Sequence, residues 1–483
     1  MNRNMAFFNR EDELWALEER WASRRGEFVV IYGRRRVGKS HLIAHFAESR
    51  RHLLFEATAG SERDHLDDIS REIARVSGRR VYEEQPLTSW RGVFAAFDDL
   101  LAEGPILIAI DEFQFVARRN AELGSLINDF VRRHKDDPNL LLVVAGSDVS
   151  FFEREVVGYA ATSYGRRTGA LRIEPFTWWG VRPFVPGWHV DDLIRAWAVF
   201  GGVPYHLDEI DPELPLAENI LRAALMPDGL LRSEPEFLLA QESRIRDRDV
   251  YMSALRAIAN GHTRQGEISA RMGKRPDEAR PFLETLEEMR LVRRRFPVTL
   301  RSGQKVVYAI TDPFLRFWFR FVAPFESRLQ TRTLARAHLD HRVLPDLDHF
   351  VSGDAFEEVA QAWTLGAVEG AVDVGRWWGN RKERTSDGLR NRQYEADVVP
   401  IDADGKVVAL GSCKWSVGEH QAGELDKLET VAKMLRKDGL LASETVPLLF
   451  FDRTGFSERL REVAAERDDV HLITTSQLEP ADG

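Results

Sequence analysis

The segment from Gly33 to Ser40 has the residue types and spacing of a phosphate-binding loop. Its sequence, GRRRVGKS, matches the pattern GxxxxGK[ST] in full. Glycines let consecutive backbone N–H groups turn toward one phosphate, and a helix that follows adds partial positive charge. Lys39 can then reach the β- and γ-phosphates of a nucleotide, and the Ser40 hydroxyl can bind Mg²⁺. The pattern predicts a nucleotide site, with a basic surface turn as the alternative.

Three arginines fill the variable positions of this loop, and they either bind nucleotide or face solvent. His41 and His45 follow, four residues apart, which is a spacing that can bind metal. Because they come directly after Lys39, packing of the helix beside the phosphate site is the preferred interpretation. The candidate nucleotide-binding residues are Gly33, Arg34, Arg35, Arg36, Val37, Gly38, Lys39, Ser40 and His41.

A second chemical feature is the acidic pair Asp111-Glu112 at the end of the apolar run Ile106 to Ile110. Acids at the carboxyl end of a buried parallel strand lie at the sheet edge where ligands bind. Asp111 can hold Mg²⁺ through water, which makes it a candidate metal ligand together with Ser40. Glu112 can orient or deprotonate an attacking water, so it is the candidate catalytic base.

The elements that must position these residues are visible in the hydrophobic pattern. The sequence predicts buried strands at Phe28 to Tyr32 and Leu140 to Ala145, and another strand at Ala170 to Phe176. A helix follows the phosphate loop, with Leu42, Ile43 and Phe46 on its apolar face. Strands that alternate with helices in this way indicate an α/β fold with a parallel sheet.

Six segments in a fixed order resemble the archaeal-type ATPase family, a branch of the AAA+/STAND P-loop ATPases. They lie within roughly the first 210 residues and read FFNREDELWALEERW, YGRRRVGKS, LIAIDEFQ, VVAGSD, YGRRTGALRIEPF and FGGVPYHL. The resemblance implies ATP and Mg²⁺ as cofactors and ATP hydrolysis as a switch. In this family the first segment lies against the adenine, which makes Phe8, Asn9 and Arg10 candidates for that contact.

The same resemblance assigns two further polar positions. Ser147, after the third strand, would sense the γ-phosphate, although Ser and Asp also serve as helix caps or turns there. Arg166 or Arg167 would be an arginine finger or a sensor, because the guanidinium fork suits developing phosphoryl charge. A surface pair of arginines is the alternative. Lys39, Glu112, Ser147 and Arg166 are the candidate catalytic residues of this region.

The middle of the chain resembles a winged-helix fold. The pattern from Val250 to Thr299 predicts three helices, with Gln265 to Met272 and Asp277 to Leu291 as the helix-turn-helix. The arginine-rich RLVRRRF is expected to end the last helix, and a hairpin around Ser302-Gly303 is expected to form the wing. Acidic residues at the start of the second helix favour a structural or protein-contact role over sequence-specific DNA reading.

Aromatic residues crowd the segment from Thr311 to Phe325. A surface that stacks nucleic-acid bases is one interpretation of this density. The spacing favours instead a buried helix that joins domains.

The C-terminal region resembles the PD-(D/E)XK nuclease superfamily. Asp397 and Lys414 fall on two predicted adjacent strands joined by a turn at Ala403 to Lys406, and Glu357 falls on the preceding helix. These three are the candidate catalytic residues of a nuclease-like site. Ser412 stands where the superfamily carries an acid, so either Glu395 supplies the missing charge or the domain keeps the fold without cleavage.

A basic segment from Gly375 to Tyr394 adjoins these acids in the sequence. It is interpreted either as a phosphate-binding loop or as a solvated, mobile loop.

Length and composition set the outer limits. A chain of 483 residues is too long to fold around a single hydrophobic core, so more than one domain is expected. We expect a P-loop ATPase domain (1–185), a helical lid (186–247), a winged helix (248–312), connecting helices (313–345) and a restriction-endonuclease-like α/β domain (346–483). The net charge of −10 excludes polyanion binding by bulk charge, and the single Cys413 excludes an intramolecular disulfide. Without a signal-peptide core or a long apolar run, a cytoplasmic, non-membrane protein is expected.

Three functions remain open from the sequence. The preferred one is a Mg²⁺-dependent ATPase that acts as a nucleotide switch in nucleic-acid handling or defence. The second is a protein-binding signalling ATPase with an inactive nuclease-like domain, and the third is a slow regulator whose winged helix binds DNA. The expected partners are accordingly DNA or another nucleic acid, or a protein, and an arginine finger in trans would require an oligomer.

Overall fold

The computed structural model describes residues 8–120, 122–157, 167–240, 245, 247–299, 306–385, 388–415 and 418–479. The chain divides into two compact units. The first unit comprises the chain up to Phe176 together with Val203–Tyr205 and Glu288–Arg290, and the second comprises the remainder. Among the described residues, no helix combines the length and the hydropathy that crossing a bilayer requires. The finer division into five domains stays a prediction.

The first unit is built on a parallel sheet. Its strands are β1 (Glu27–Tyr32), β2 (His52–Glu56), β3 (Ile106–Asp111), β4 (Leu140–Gly146) and β5 (Gly169–Arg172), in the order β2-β3-β4-β1-β5. Every residue of β1, β3 and β4 is buried, because helices cover both faces of the sheet. The α/β fold predicted for this region is confirmed.

Two apolar layers hold this sheet between its helices. One layer contains Val30, Ile108 and Val144 and continues into the helices around Phe97 and Phe130. The other contains Val29 and Val143 and continues into the helix after β1. The helices are Glu11–Trp21, Lys39–Ala47, Glu62–Ser77, Val81–Glu84, Trp90–Ala102, Gln114–Ala117, Leu123–Arg133 and Val149–Phe151, followed by a π-helical turn at Phe152–Val156.

The register of the sheet brings the carboxyl ends of its strands to one edge. Tyr32 at the end of β1 pairs with Gly146 at the end of β4, and Glu56 pairs with Asp111. The phosphate loop, the acidic pair and Ser147 therefore leave the sheet on the same side. The strand predicted at Ala170 to Phe176 is shorter than expected and ends at Arg172, close to Pro175, which cannot donate to a ladder.

The second unit contains most of the helices of the described chain. They are Val190–Phe200, Leu216–Ile220, Glu234–Ala240, Arg248–Ala259, Gln265–Arg271, Pro276–Glu288, Pro313–Phe321, Arg332–His338, Leu344–Phe350, Phe356–Ala367, Gly423–Lys437 and Glu458–Glu466, and Pro204–Leu207 spans a boundary between the units. Shorter 3₁₀ and π turns lie at Trp179–Phe184, Leu221–Leu225, Ala323–Arg328, Leu339–Val343, Val351–Ala355 and Thr475–Leu478. Pro313–Phe321 is buried along almost its whole length, which confirms the buried helix predicted for the aromatic segment.

The arginine-rich segment after Pro276–Glu288 corrects the sequence prediction. It was expected to end that helix, but it forms β6 (Val292–Arg295), which pairs antiparallel with β7 (Val307–Ile310). The helix stops early because Arg290 adopts a left-handed backbone with φ 60°. Arg293, Arg294 and Arg295 consequently lie on a strand, and the predicted hairpin tip at Ser302-Gly303 lies outside the described residues.

A second sheet forms the C-terminal part. Its strands are β8 (Asp373–Thr385), β9 (Gly388–Ile401), β10 (Leu410–Lys414), β11 (Leu448–Asp452) and β12 (Val470–Thr474), in the order β12-β11-β10-β9-β8. The strands β10, β11 and β12 run parallel, while β9 is antiparallel to both of its neighbours. The predicted adjacency of the strands that carry Asp397 and Lys414 is confirmed.

The basic segment from Gly375 to Tyr394 is not a loop, contrary to both interpretations of the sequence. Most of it belongs to the long hairpin of β8 and β9, which pair from Asp373↔Ile401 to Thr385↔Gly388. Alternation explains the error, because Trp377, Tyr394 and Ala396 face the core while charged residues take the alternate positions. The register shifts between Gly375 and Trp377, opposite Asp397.

Candidate functional site

The phosphate loop depends on its two glycines. A Cβ at Gly33 would stand 2.2 Å from the carbonyl oxygen of Ile173, which follows β5, so only glycine fits there. Gly38 has φ 94° and caps the helix Lys39–Ala47, whose first N–H groups face the loop. Together the two glycines shape the loop from Gly33 to Ser40 between β1 and the helix.

Lys39 is held inside this loop. Its Nζ donates to the carbonyl oxygen of Gly33 at 2.9 Å and to that of Arg34 at 3.0 Å. The residue is only 4% exposed, and burial lowers the pKa of Lys39 to about 8, although Glu112 and Asp111 act in the opposite direction. A negatively charged ligand at this position would favour the charged ammonium.

Ser40 and Asp111 meet as the sequence predicts. The Ser40 hydroxyl donates to Oδ2 of Asp111 at 2.5 Å, and the backbone N–H of Glu112 donates to Oδ1 at 2.8 Å. Hydroxyl and carboxylate oxygens are the ligands that Mg²⁺ prefers, usually one or two from the protein with phosphate and water for the rest. The residues present therefore fit a magnesium ion, which Ser40 and Asp111 would hold.

Glu112 is fixed by neutral donors. Its Oε2 accepts hydrogen bonds from the Ser147 hydroxyl at 2.7 Å and from the side-chain amide of Gln114. Glu112 also adopts a left-handed backbone, with φ 48°. Among the described residues no cation lies in ion-pair contact with this carboxylate, so it is available to a water or a metal ion.

Gln114 and Glu56 belong to this edge, and the sequence reasoning did not assign them. Gln114 is 3% exposed and follows the acidic pair by two residues in the motif IDEFQ. Glu56 ends β2 beside Asp111, and burial, then Asp111 and Glu112, raise its pKa. The sequence signal that could have identified Glu56 is the apolar run HLLFE. This run ends in an acid, just as the apolar run Ile106 to Ile110 is followed by Asp111.

Arg10 supports the loop from the N-terminal segment. Its guanidinium donates to the carbonyl oxygens of Val37 at 3.0 Å and Glu174 at 2.8 Å, and it lies 4.4 Å from the ring centroid of Phe176. Arg10 thus ties the phosphate loop to the segment after β5. Its neighbour Asn9 has φ 51°, and the adenine contact predicted for both residues stays a prediction.

The arginines inside the loop have different surroundings. Arg36 has φ 66°, and its guanidinium lies 3.9 Å from the ring centroid of Tyr205. Arg35 is close enough to Lys39 to help lower its pKa. Arg34 and His41 are half-buried, and their predicted nucleotide contacts stay predictions.

Of the two arginines proposed as a finger or sensor, only one is described by the structure. Arg166 lies outside the described residues. Arg167 is described, and it donates to the carbonyl oxygen of Val156 at 3.5 Å. The predicted finger or sensor role stays a prediction for both.

The acids of the second sheet are surrounded by arginine. Arg376 contacts Glu357 and bonds Asp354 at 2.7 Å, while Oδ2 of Asp397 accepts the backbone N–H of Cys413 at 2.9 Å. Burial raises the pKa of Glu357 well above its usual value, against the nearby Arg376. Burial also raises the pKa of Asp397.

Lys414 does not join this cluster. Within the described ranges no ion pair links Lys414 to Asp397 or Glu357, and no group of three His, Cys, Asp or Glu side chains comes together to hold a metal. Ser412 is buried on the same strand. The structure therefore brings Glu357 and Asp397 into one electrostatic neighbourhood through Arg376, and the nuclease role predicted for Lys414 stays a prediction.

Comparison with known families matches two segments of the chain. Residues 7–210 match a family described as an ATPase domain predominantly from Archaea. Residues 318–425 match a family described as archaeal and bacterial proteins of unknown function. The first match spans the whole phosphate loop, the acidic pair and Ser147.

Two curated relatives come from Methanocaldococcus jannaschii. An uncharacterized protein is 28% identical over 416 residues, which cover 85% of this chain and 87% of the relative. An uncharacterized ATP-binding protein is 44% identical over 45 residues, which cover 9% of this chain and 76% of the relative.

Solved structures with similar folds include two archaeal proteins. The Walker-type ATPase of Pyrococcus abyssi is 23% identical with a TM-score of 0.49, over 66% of this chain and 97% of that protein. The ORC2 protein of Aeropyrum pernix, in ADPNP and ADP complexes, is 16% identical with a TM-score of 0.42, over 69% of this chain and 94% of that protein.

Proposed function

From the match of residues 7–210 to ATPase domains predominantly from Archaea, we propose that the chain binds ATP with Mg²⁺ and hydrolyses the γ-phosphate. The observation that carries the proposal is the meeting of the buried Lys39 and the Ser40–Asp111 hydrogen bond at the edge where Glu112 lies. These groups come from two separate stretches of sequence, and phosphoryl transfer requires all of them together.

Each residue has a chemical task. Lys39 would leave the carbonyl oxygens of Gly33 and Arg34 and bind the β- and γ-phosphates with its ammonium. Ser40 and Asp111 would hold Mg²⁺, which when bound neutralises developing charge on the phosphates. Glu112 would orient the attacking water and accept its proton, and Ser147 would hold the Glu112 carboxylate or contact the γ-phosphate.

We further propose which molecules the ATPase switch acts on. The switch would act in nucleic-acid handling or defence, because three helices and an antiparallel strand pair follow the ATPase domain in the arrangement of a winged helix. The start of Pro276–Glu288 argues against sequence-specific DNA reading, since Glu278 accepts hydrogen bonds from both the backbone and the guanidinium of Arg275. A structural or protein-contact role for these helices fits better.

A second candidate function is a protein-binding signalling ATPase whose C-terminal sheet cleaves nothing. Two features favour it, because a metal-dependent nuclease needs acids whose charge is free to bind the metal. Here Arg376 contacts Glu357, and Ser412 replaces one acid.

Phosphate release and ATP binding, with Mg²⁺ and with a chelator, test the ATPase proposal in the full chain. We expect turnover only with the metal ion, and a higher Mg²⁺ requirement in Asp111→Asn. Asp136→Asn is the matched control, because the Asp136 side chain is 86% exposed. Equal turnover with chelator, or equal metal dependence in both variants, would contradict the proposal.

Added single-stranded DNA, duplex DNA and RNA in the same assay separate the coupled functions. Stimulation by nucleic acid supports the handling role, and its absence supports the protein-linked switch. A nicking assay with Mg²⁺ or Mn²⁺ tests the nuclease prediction. Cleavage that Asp397→Ala removes would favour a nuclease, and no cleavage with either metal would leave the second candidate.

A further inference from the structure

The hairpin of β8 and β9 has one face that the core does not use. Trp377, Tyr394 and Ala396 pack into the apolar cluster beneath the sheet. On the opposite face Trp378 pairs across the strands with Glu395, and Asn380 pairs with Gln393. Trp378 is half-buried and the other three residues are exposed. The face therefore combines an aromatic ring with two amides and a carboxylate.

These four side chains line a cavity of about 490 Å³. The cavity extends from the hairpin to Arg264, at the start of the helix Gln265–Arg271, and to Asp397 and Glu357. Its volume lies in the ordinary range for sites that hold a small organic ligand. The combination of a ring for stacking with polar groups at fixed positions is typical of base recognition.

Most of the positive charge around the cavity is already paired. Arg264, Arg295 and Arg376 line it together with Glu357, Glu395 and Asp397. Arg295 and Arg376 already bond Asp354, at 2.6 Å and 2.7 Å. A groove for a polyanionic duplex requires a surplus of free positive charge, so this cavity fits a ligand with few phosphates. Arg264, whose nearest carboxylate is Glu267 at 3.9 Å, is placed to contact one phosphate.

The chemistry of the wall selects the base. Asn and Gln form paired hydrogen bonds with adenine, and Glu accepts from the exocyclic amino group of cytosine. Thymine and uracil carry oxygen at the equivalent position, and a carboxylate cannot donate to it. The face therefore favours bases with an exocyclic amino group.

We propose that this cavity binds one unpaired nucleotide with an amino-bearing base, stacked on Trp378 and read by Asn380, Gln393 and Glu395. The base must be unstacked to enter, which selects a free nucleotide or a single strand over a duplex. The inference builds on the proposed role in nucleic-acid handling, but the site is separate from Lys39 and requires no ATP hydrolysis.

Fluorescence anisotropy tests the proposal. It measures the binding of five-nucleotide oligomers of dA, dC or dT to the full chain in the presence of a metal chelator. We expect the dA and dC oligonucleotides to bind roughly ten-fold or more tightly than the dT oligonucleotide. The variant Trp378→Ala should bind the dA and dC oligonucleotides roughly ten-fold or more weakly than the unaltered chain does. Glu395→Ala should reduce the preference for dC over dT. Equal binding of all three, or binding unchanged in Trp378→Ala, would overturn the proposal.

Controls separate this site from the ATP site and identify the source of the ligand. Trp15→Ala should bind oligonucleotides as the unaltered chain does, because Trp15 is 66% exposed in the first unit. Titration of AMP and CMP into Lys39→Ala protein, with its fold checked by thermal unfolding, shows whether a free nucleotide suffices. If Lys39→Ala protein binds the oligonucleotides but not AMP or CMP, the ligand is a single strand. If it binds neither the oligonucleotides nor the free nucleotides, the proposal is overturned. ATP turnover, measured separately, decides the ATPase proposal on its own.

Discussion

The two acidic regions of this molecule are built from similar residues but differ in what neutralises them. At the edge of the first sheet, Asp111 and Glu112 accept hydrogen bonds from Ser40, Ser147, Gln114 and a backbone N–H, which are all uncharged. In the second unit, Glu357 and Asp354 are in contact with the guanidinium of Arg376. Neutral donors orient a carboxylate and leave its negative charge without a counter-charge, whereas an arginine offsets that charge with a positive one.

This difference teaches which region can perform chemistry on a phosphate. A carboxylate that keeps its charge can hold a cation or accept a proton from water. A carboxylate in an arginine network mainly fixes the elements that carry it, because separating a buried pair is costly. Lys39 belongs to the first of these two environments, since its ammonium lies near enough to Glu112 and Asp111 for both to act on its pKa.

The largest expected effect is the loss of Lys39. Lys39→Ala should lower ATP turnover by about 1000-fold, because the Lys39 ammonium, held inside the loop, is the group placed to stabilise the γ-phosphate in the transition state. Phosphate release measures the change. Lys135→Ala, whose side chain is 71% exposed, should stay near the unaltered rate. Equal loss in both variants would remove the distinction between the two regions.

Neutralising Glu112 should have the next largest effect. Glu112→Gln should retain ATP binding and lose about 100-fold in turnover, since the amide can keep a hydrogen bond but cannot accept the proton of water. Comparing the dissociation constant for ATP with the turnover rate separates the two steps. A large loss of affinity with an unchanged rate would show that Glu112 acts in binding instead.

Removing Arg376 should affect stability and spare the ATPase. Arg376→Ala leaves Asp354 and Glu357 without this partner, which should lower the free energy of unfolding of the second unit by about 3 kcal/mol. Denaturant unfolding measures it. Lys382→Ala, an exposed position on the same strand β8, should change stability by less than about 0.5 kcal/mol. An equal effect of both variants would contradict the structural role of the network.

The smallest expected effect is proton uptake on nucleotide binding. Because the pKa of Lys39 is about 8 in the free protein, roughly half of the molecules lack this proton at pH 8. Phosphate favours the charged ammonium, so binding should take up about 0.5 proton at pH 8 and almost none at pH 6. Affinity should fall as pH rises above 8.

Calorimetry in two buffers with different ionisation enthalpies measures this uptake. Lys39→Ala should show no uptake from this group. Proton release at pH 8, or the same uptake in the variant, would contradict the assignment to Lys39.

Some parts of this molecule were predictable from local sequence because one local cause decides them. The GxxxxGK[ST] spacing predicted the phosphate loop, since Gly33 and Gly38 are required by a close approach and a left-handed backbone. The apolar runs of β1, β3 and β4 predicted buried strands, because a parallel strand covered on both faces is apolar throughout. The acid at the end of such a run predicted Asp111 at the ligand edge.

Other parts depend on residues that are distant in the sequence. Ser147 reaches Glu112 because β3 and β4 are neighbours, and this brings the side-chain amide of Gln114 against Ser147 as well. The hairpin of β8 and β9 was misread as a loop because its charged residues conceal an alternation that only cross-strand pairing reveals. The register of the second sheet, rather than the spacing of the acids and Lys414, decided which of them meet.

The sequence by itself determined the phosphate loop, the buried strands and the acid that faces it, because backbone sterics and hydrophobic burial act over a few neighbouring residues. Only the tertiary structure decided which carboxylates are held by neutral donors and which are paired with an arginine. That outcome depends on whether a hydroxyl, an amide or a guanidinium from a distant segment lies against each one, as Ser147 does at Glu112 and Arg376 does at Glu357.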